Sequence, residues 1–467
     1  LNRYLAFLIA AFTTAEIQAF QLAPRLVVNI TVDQLRSDYL EAFSPLFTLN
    51  GFKKLLREGK VYETASYPFT PVDRSSALAT LSTGTTPFYH GIISTNWLDR
   101  KTLRPTYCIS DDQFIYSPGN LKTSTLGDEM KVSSHGASIV YAIASMPDAA
   151  ILSAGHAANN AIWIDHESKR WKGTSFYSNS SEKWFNSLSG KLAIDKQHPS
   201  KNDALAAMAV TTIKAAAMGA DEITDLLHIT LSASAPTEAP VLNWQTEMES
   251  VYMQLDNTLS KLINEIELQV GKERVLFVLT STGRDDEAED YQNYKIPTGT
   301  FYINRTSKLL NVYLSAIYGQ GQYVSAYYHN QIYLNHKLIE QKKLSLHNIL
   351  NSCQELLIQN AGVSDVYTLE RLLSDNGTLH KVRNGFNPAN SGDIIIEIAP
   401  GWKLYNEDTQ ETSTSRFAFI PFPIIFYGNG LKHENILTPV TVDHIAPTIA
   451  KSIRIRAPNA CSKSPLF

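Results

Sequence analysis

The chain has 467 residues, of which 44% are hydrophobic, 10% aromatic and 18% charged, the make-up of a folded globular protein rather than a disordered or collagen-like one. Its 41 Lys and Arg stand against 45 Asp and Glu, so no basic excess exists to neutralise a phosphate backbone, which argues against nucleic-acid binding. Three cysteines (Cys108, Cys353, Cys461) are too few for a disulfide scaffold, match no zinc spacing, and leave at least one thiol unpaired within the chain.

Asn2 and Arg3 precede the apolar run Tyr4 to Phe12, and Ile17-Gln18-Ala19 supplies a cleavage-like end. A short positive region followed by an h-region of about 9 residues describes a secretory signal peptide. Residues 1–19 are therefore expected to be removed, leaving 20–467 as an exported, periplasmic domain. Thr13, Thr14, Glu16 and Gln18 interrupt the run before the roughly 20 apolar residues of a spanning helix, and no later stretch is expected to span a membrane.

Residues 26–32 form a nearly continuous apolar run, the pattern of a buried parallel strand. Asp33 closes it at the carboxyl end, where open α/β sheets bind ligands. Phe52, Leu55 and Leu56 give residues 49–58 helical spacing. Further strands are predicted at 150–152, 226–231, 275–279, 393–398 and 423–427, and helices at 204–217, 246–268 and 345–360. This alternation predicts an α/β fold with a doubly wound, mostly parallel sheet sandwiched by helices. Residues 290–390, richer in Tyr and Asn, break the alternation and read as an inserted cap subdomain.

Several strings then occur in order: Val32-Asp33-Gln34-Leu35-Arg36-Ser37-Asp38-Tyr39-Leu40, Gly51-Phe52-Lys53-Lys54-Leu55-Leu56, Ser82-Thr83-Gly84-Thr85-Thr86-Pro87 with His90-Gly91-Ile92, and Ala150-Ile151-Leu152-Ser153-Ala154-Gly155-His156. Later ones are Gln331-Ile332-Tyr333-Leu334-Asn335, Ser391-Gly392-Asp393, Pro423 to Gly428, and Ile445-Ala446-Pro447-Thr448. Together they make the chain resemble the alkaline phosphatase superfamily, most closely its periplasmic phosphate-monoesterase branch, which is like the type I phosphodiesterases and nucleotide pyrophosphatases. The resemblance implies two zinc ions held by carboxylates and imidazoles, with a Thr or Ser alkoxide attacking phosphorus.

Carried over residue by residue, that pattern keeps only Asp33, its first metal-binding Asp. The nucleophile position is Arg74, which has no oxygen. The Asp and His metal pair falls on Ala235 and Ala239, the later Asp-His pair within Ser281-Thr282-Gly283, and the final metal His on Thr412. The phosphate-clamp positions are Thr95, Met146 and Asp148. The resemblance thus implies a scaffold without its ligands, and no cofactor is expected.

Arg74 is expected to stand in for the missing metal and pair with Asp33, because a lone buried carboxylate costs several kcal/mol; the alternative is that it binds an anion such as phosphate or sulfate. Ser75 is a weak alternative nucleophile; with Ser76 it reads as the first turn of a helix, where Ser satisfies free N–H groups. His90 and His156 read as structural, and no pair of the twelve histidines has helical metal spacing. The acidic run 284–290 lacks calcium-loop spacing and reads as solvated surface. Tyr323, Tyr327, Tyr328 and Tyr333 read as cap core, with a contact surface as the alternative. The function expected is binding or scaffolding in the cell envelope with a protein partner, the former substrate pocket being open to a small ligand. The alternative is a metal-dependent hydrolase of phosphate or sulfate esters.

Overall fold

A computed structural model describes residues 22–177, 183–189, 191–194, 200–234, 244–283, 297–374, 377–414 and 420–467. Residues 1–19, expected to be a signal peptide, Ala235, Ala239 and the acidic run lie outside the described residues.

Among the described residues the main sheet has ten strands. Its principal strands, in chain order, are β1 (Leu26–Asp33), β2 (Lys60–Ser66), β3 (Val140–Ala144), β4 (Asn160–Ile164), β5 (Asp225–Ser232), β6 (Val275–Ser281) and β7 (Phe422–Gly428). Across the sheet they run β2-β7-β6-β1-β5-β3-β4. From β6 to β4 all pairs are parallel, whereas β7 is antiparallel to both β6 and β2. All eight residues of β1 are buried, as expected for a central parallel strand covered on both faces.

Alternation along β1 assigns each side chain to one of two cores. Leu26, Val28, Ile30 and Val32 join the cluster that contains Leu205 and Met208 of helix Lys201–Ala215 and Leu255 and Leu259 of helix Trp244–Val270. Val27 packs into the opposite cluster, with Ala77, Leu78 and Leu81 of α1 (Arg74–Thr83) and Ala149 to Leu152 of α2 (Pro147–Ala154). Asn29, Thr31 and Asp33 share that second face, so Asp33 ends up beside α1 and α2.

The expected strand at 150–152 is corrected: it lies inside α2. A short apolar run does not separate a buried helix from a strand. The deciding local signals are Pro147 at the first helical turn behind the extended Met146. The strand feeding this helix is β3, four residues of which pair with β4.

Residues 393–398 do form a strand (Ile394–Ile398), but in a separate four-stranded antiparallel sheet with Val324–Tyr328, Gln331–Leu334 and Val363–Thr368. This second module has its own core, running from Phe301 to Leu404 and therefore past residue 390. Tyr323 is buried in it, Tyr333 is buried outside it with its ring beside Arg100, and Tyr327 and Tyr328 are half-buried.

Candidate functional site

The site forms where α1 and α2 begin, beside the carboxyl end of β1. Asp73 starts α1. Its Oδ1 accepts from Ser76 N (2.8 Å), and Ser76 Oγ accepts in return from Asp73 N (3.1 Å), a reciprocal capping box. Asp73 Oδ2 accepts from the backbone N–H and the hydroxyl of Thr95, at 2.5 and 2.7 Å. The cap fixes the direction of Arg74, the next residue and the first of the helix.

Arg74 does not pair with Asp33, which corrects the expectation above. Its guanidinium grips Asp148, in the first turn of α2, through Nε to Oδ2 (3.1 Å) and Nη2 to Oδ1 and Oδ2 (3.1 and 2.9 Å). The Asp148 side chain is fully buried and that of Arg74 is 18% exposed. Two further hydroxyls complete the carboxylate's shell: Ser75 Oγ donates to Oδ2 at 2.8 Å and Tyr107 OH to Oδ1 at 2.9 Å. Ser75 Oγ also lies 2.9 Å from Thr95 Oγ1. Asp148 outcompetes Asp33 because it presents both oxygens to the fork of the guanidinium and sits at a helix N-terminus, where negative charge is stabilised.

The electrostatics follow from this arrangement. Burial by itself would lower the Arg74 pKa, but the charges of Asp148 and then Asp33 reverse that and hold it above the ordinary arginine value. Burial, reinforced by Asp148, raises the Tyr107 hydroxyl and raises the Cys108 thiol well above their usual values. These groups stay protonated at neutral pH.

Asp33 takes a different partner. Thr282 Oγ1 donates to its Oδ1 at 2.7 Å. Ser281 Oγ turns away to Leu35 O (2.9 Å), and the Ser281 carbonyl accepts from Tyr67 OH (2.9 Å). Thr412 is exposed on strand Glu411–Thr414, paired with Tyr405 in the second module. Met146 is half-buried before α2 and packs against the apolar cluster there.

Of the positions singled out from sequence, the structure therefore joins Arg74, Ser75, Thr95 and Asp148 in one network. Asp33 and Thr282 form a second, adjacent bond. Sequence reasoning missed Asp73 and Tyr107. Asp73 carried a signal, an acid immediately before a helix; Tyr107 carried none, since only the fold brings it to Asp148.

Three comparisons with known proteins show the family and the fold. The sequence pattern of the type I phosphodiesterase / nucleotide pyrophosphatase family matches residues 27–418. The chain belongs to this family. Among its relatives, alkaline phosphatase PafA of Elizabethkingia meningoseptica is 24% identical over 95% of this chain and 94% of its own length. Alkaline phosphatase PhoV of Synechococcus elongatus is 24% identical over 93% of this chain and 91% of its own. The crystal structure of PafA superposes with a TM-score of 0.81 at 23% identity, covering 95% of this chain and 98% of that one. Murine ectonucleotide pyrophosphatase/phosphodiesterase 5 superposes with a TM-score of 0.56 at 13% identity, covering 93% and 96%. The fold is that of the alkaline phosphatase superfamily.

The resemblance implies two zinc ions, and the residues it carries onto their positions are not the carboxylate and imidazole set it calls for. At the carried-over metal positions, one carboxylate is joined by two hydroxyl residues, two alanines and an exposed threonine. Alanine offers no donor atom, and neutral hydroxyls do not replace the imidazole and carboxylate ligands that zinc requires. Among the described residues, no three His, Cys, Asp or Glu side chains come together as a metal group.

Proposed function

We propose that this family member is exported, has lost phosphatase chemistry, and acts by binding, as a scaffold component of the cell envelope that engages a protein partner. The observation that carries the reading is the Arg74–Asp148 pair. The resemblance puts a neutral nucleophile at position 74 and a phosphate-gripping Arg at 148, whereas this chain has a base at 74 and an acid at 148. Both changes oppose catalysis: a guanidinium offers no oxygen nucleophile, and a buried carboxylate repels a phosphoryl group. Each change also compensates the other electrostatically, which favours a stable, rebuilt pocket over a merely damaged one. No cofactor is required by this reading. Export rests on the N-terminal pattern. Among the described residues no helix is long and apolar enough to cross a membrane. By the resemblance the former substrate pocket would lie beside Arg74, Thr95 and Asp33, and a small ligand would be sought there.

The competing reading, a metal-dependent hydrolase of phosphate or sulfate esters, is favoured by the names of the relatives, which are alkaline phosphatases. Zinc content and nitrophenyl phosphate turnover of the purified protein separate the two. Binding predicts sub-stoichiometric zinc and no turnover above background. Stoichiometric zinc with turnover abolished by a chelator would establish the hydrolase.

A further inference from the structure

A hairpin of the main body, Asn96–Leu98 paired antiparallel with Pro105–Tyr107, connects the rebuilt pocket to the second module. Its base holds the pocket, through Thr95 on Asp73 and Tyr107 on Asp148. Its turn reaches across the boundary. Arg100 donates from Nε to Ser391 O (2.9 Å) and from Nη1 to Asp393 Oδ1 (3.0 Å), with its guanidinium 5.7 Å from the centre of the Tyr333 ring. The same Oδ1 lies 2.9 Å from His336 Nε2, while Asp393 Oδ2 accepts from Leu334 N at 2.7 Å. One carboxylate oxygen therefore serves two donors, one of which is permanently charged and the other charged only when protonated.

We infer that His336 and Arg100 compete for Asp393, so that acidification loosens the body hairpin from the second module and, with it, the bonds that Thr95 and Tyr107 make across the pocket. The groups facing His336 are Asp393 and Arg100, with Glu340 one turn further along its own helix, His336–Gln341. Asp393 holds the imidazole above its ordinary value, and Arg100 pulls it down. Asp393 and His336 both belong to the second module, so they stay together when the hairpin leaves. Release removes only the opposing charge. The imidazole therefore binds its proton more tightly in the released state, and low pH favours release by linkage. Asp393 itself stays ionised through this range, because His336 and Arg100 outweigh the effect of its burial and hold its pKa below the usual carboxylate value.

The test is amide hydrogen exchange of the full chain, read over residues 96–107. Between about pH 8 and about pH 5.5, on either side of the histidine range, protection corrected for intrinsic rates should fall roughly three-fold, given a partly solvated charge pair. Helix Trp244–Val270, which lies in the other core, should not change. H336N keeps a donor and loses the titration, so its hairpin protection should be flat across this range. Equal protection of the hairpin at both pH values in the unsubstituted protein would overturn the inference, whatever the variant does; so would the same fall in H336N. Neither outcome depends on whether the protein turns over a phosphate ester.

Discussion

Arg74 and Asp148, first-turn residues of two adjacent helices, form a forked ion pair at 2.9–3.1 Å with the carboxylate fully buried. Breaking a buried pair from one side leaves a charge without compensation. R74A is therefore expected to destabilise the fold by about 3–5 kcal/mol, measured by urea denaturation. Ser75 and Tyr107 would still donate to Asp148, which places the loss at the lower end of that range. Replacing both partners together, as in R74M/D148L, should recover most of the loss, because the carboxylate that needs compensation is then absent.

Restoring a hydroxyl at the nucleophile position is not expected to restore catalysis. R74T supplies an oxygen, but no imidazole or carboxylate set would activate it, and Asp148 would remain as an unpaired negative charge facing any phosphate. The expected result is nitrophenyl phosphate turnover indistinguishable from the unsubstituted protein, with lowered stability. Measurable zinc-dependent turnover in R74T would show that the ligand set is more complete than the residues at the carried-over positions indicate.

Asp256 ties the Gly51 to Leu56 string to another helix. This residue of helix Trp244–Val270 is 1% exposed, and its carboxylate accepts Thr48 N, Thr48 Oγ1 and Phe52 N, each at 2.7 Å. It caps, from another helix, the start of helix Phe52–Glu58, whose own preceding residue is Gly51. Removing an acceptor of three bonds is expected to cost about 3 kcal/mol in D256A, read by urea denaturation. G51A should be at least as harmful, because an added Cβ would stand 2.1 Å from Asp256 Oδ1.

The parts of the fold that were legible were those written in local pattern. The run at 26–32 and the long helical repeat at 246–268 became β1 and helix Trp244–Val270, each within two residues at either end. The run at 150–152 failed because a buried helix of small residues is apolar on every side and has no period to read. At the site, Arg74 and Asp148 were singled out by the resemblance, yet their pairing with each other was not. Arg74 is 74 positions from Asp148 and 41 positions from Asp33, so sequence distance favoured neither usefully. What decides is that Asp148 offers both oxygens at a helix start, while Asp33 is already bonded to Thr282. Both facts are three-dimensional.

His156 gives a prediction in pH. Its Nδ1 lies 2.9 Å from Asp128 Oδ2 and its Nε2 lies 3.1 Å from Leu121 O. Both partners are acceptors, so only the doubly protonated ring satisfies both. The bond to Asp128 accordingly raises the pKa of His156 above its ordinary 6.5. Asp128, despite burial, is held below the usual carboxylate range by His156 and by backbone N–H groups. A group whose folded pKa is raised contributes fully below its unfolded pKa and loses that contribution as pH rises through the folded value. For Asp128 the sign reverses: its contribution is present above the usual carboxylate pKa and disappears only as acid carries the pH through the depressed one. Stability from this pair should therefore peak in mild acid and decline as pH climbs from 6.5 through the raised His156 value. The His156 side chain is 38% exposed, so solvent screening limits the decline to about 1 kcal/mol or less. Urea midpoints across this range should show it, and H156Q, which cannot carry the charge, should remove the slope while leaving the loss at low pH that Asp128 governs.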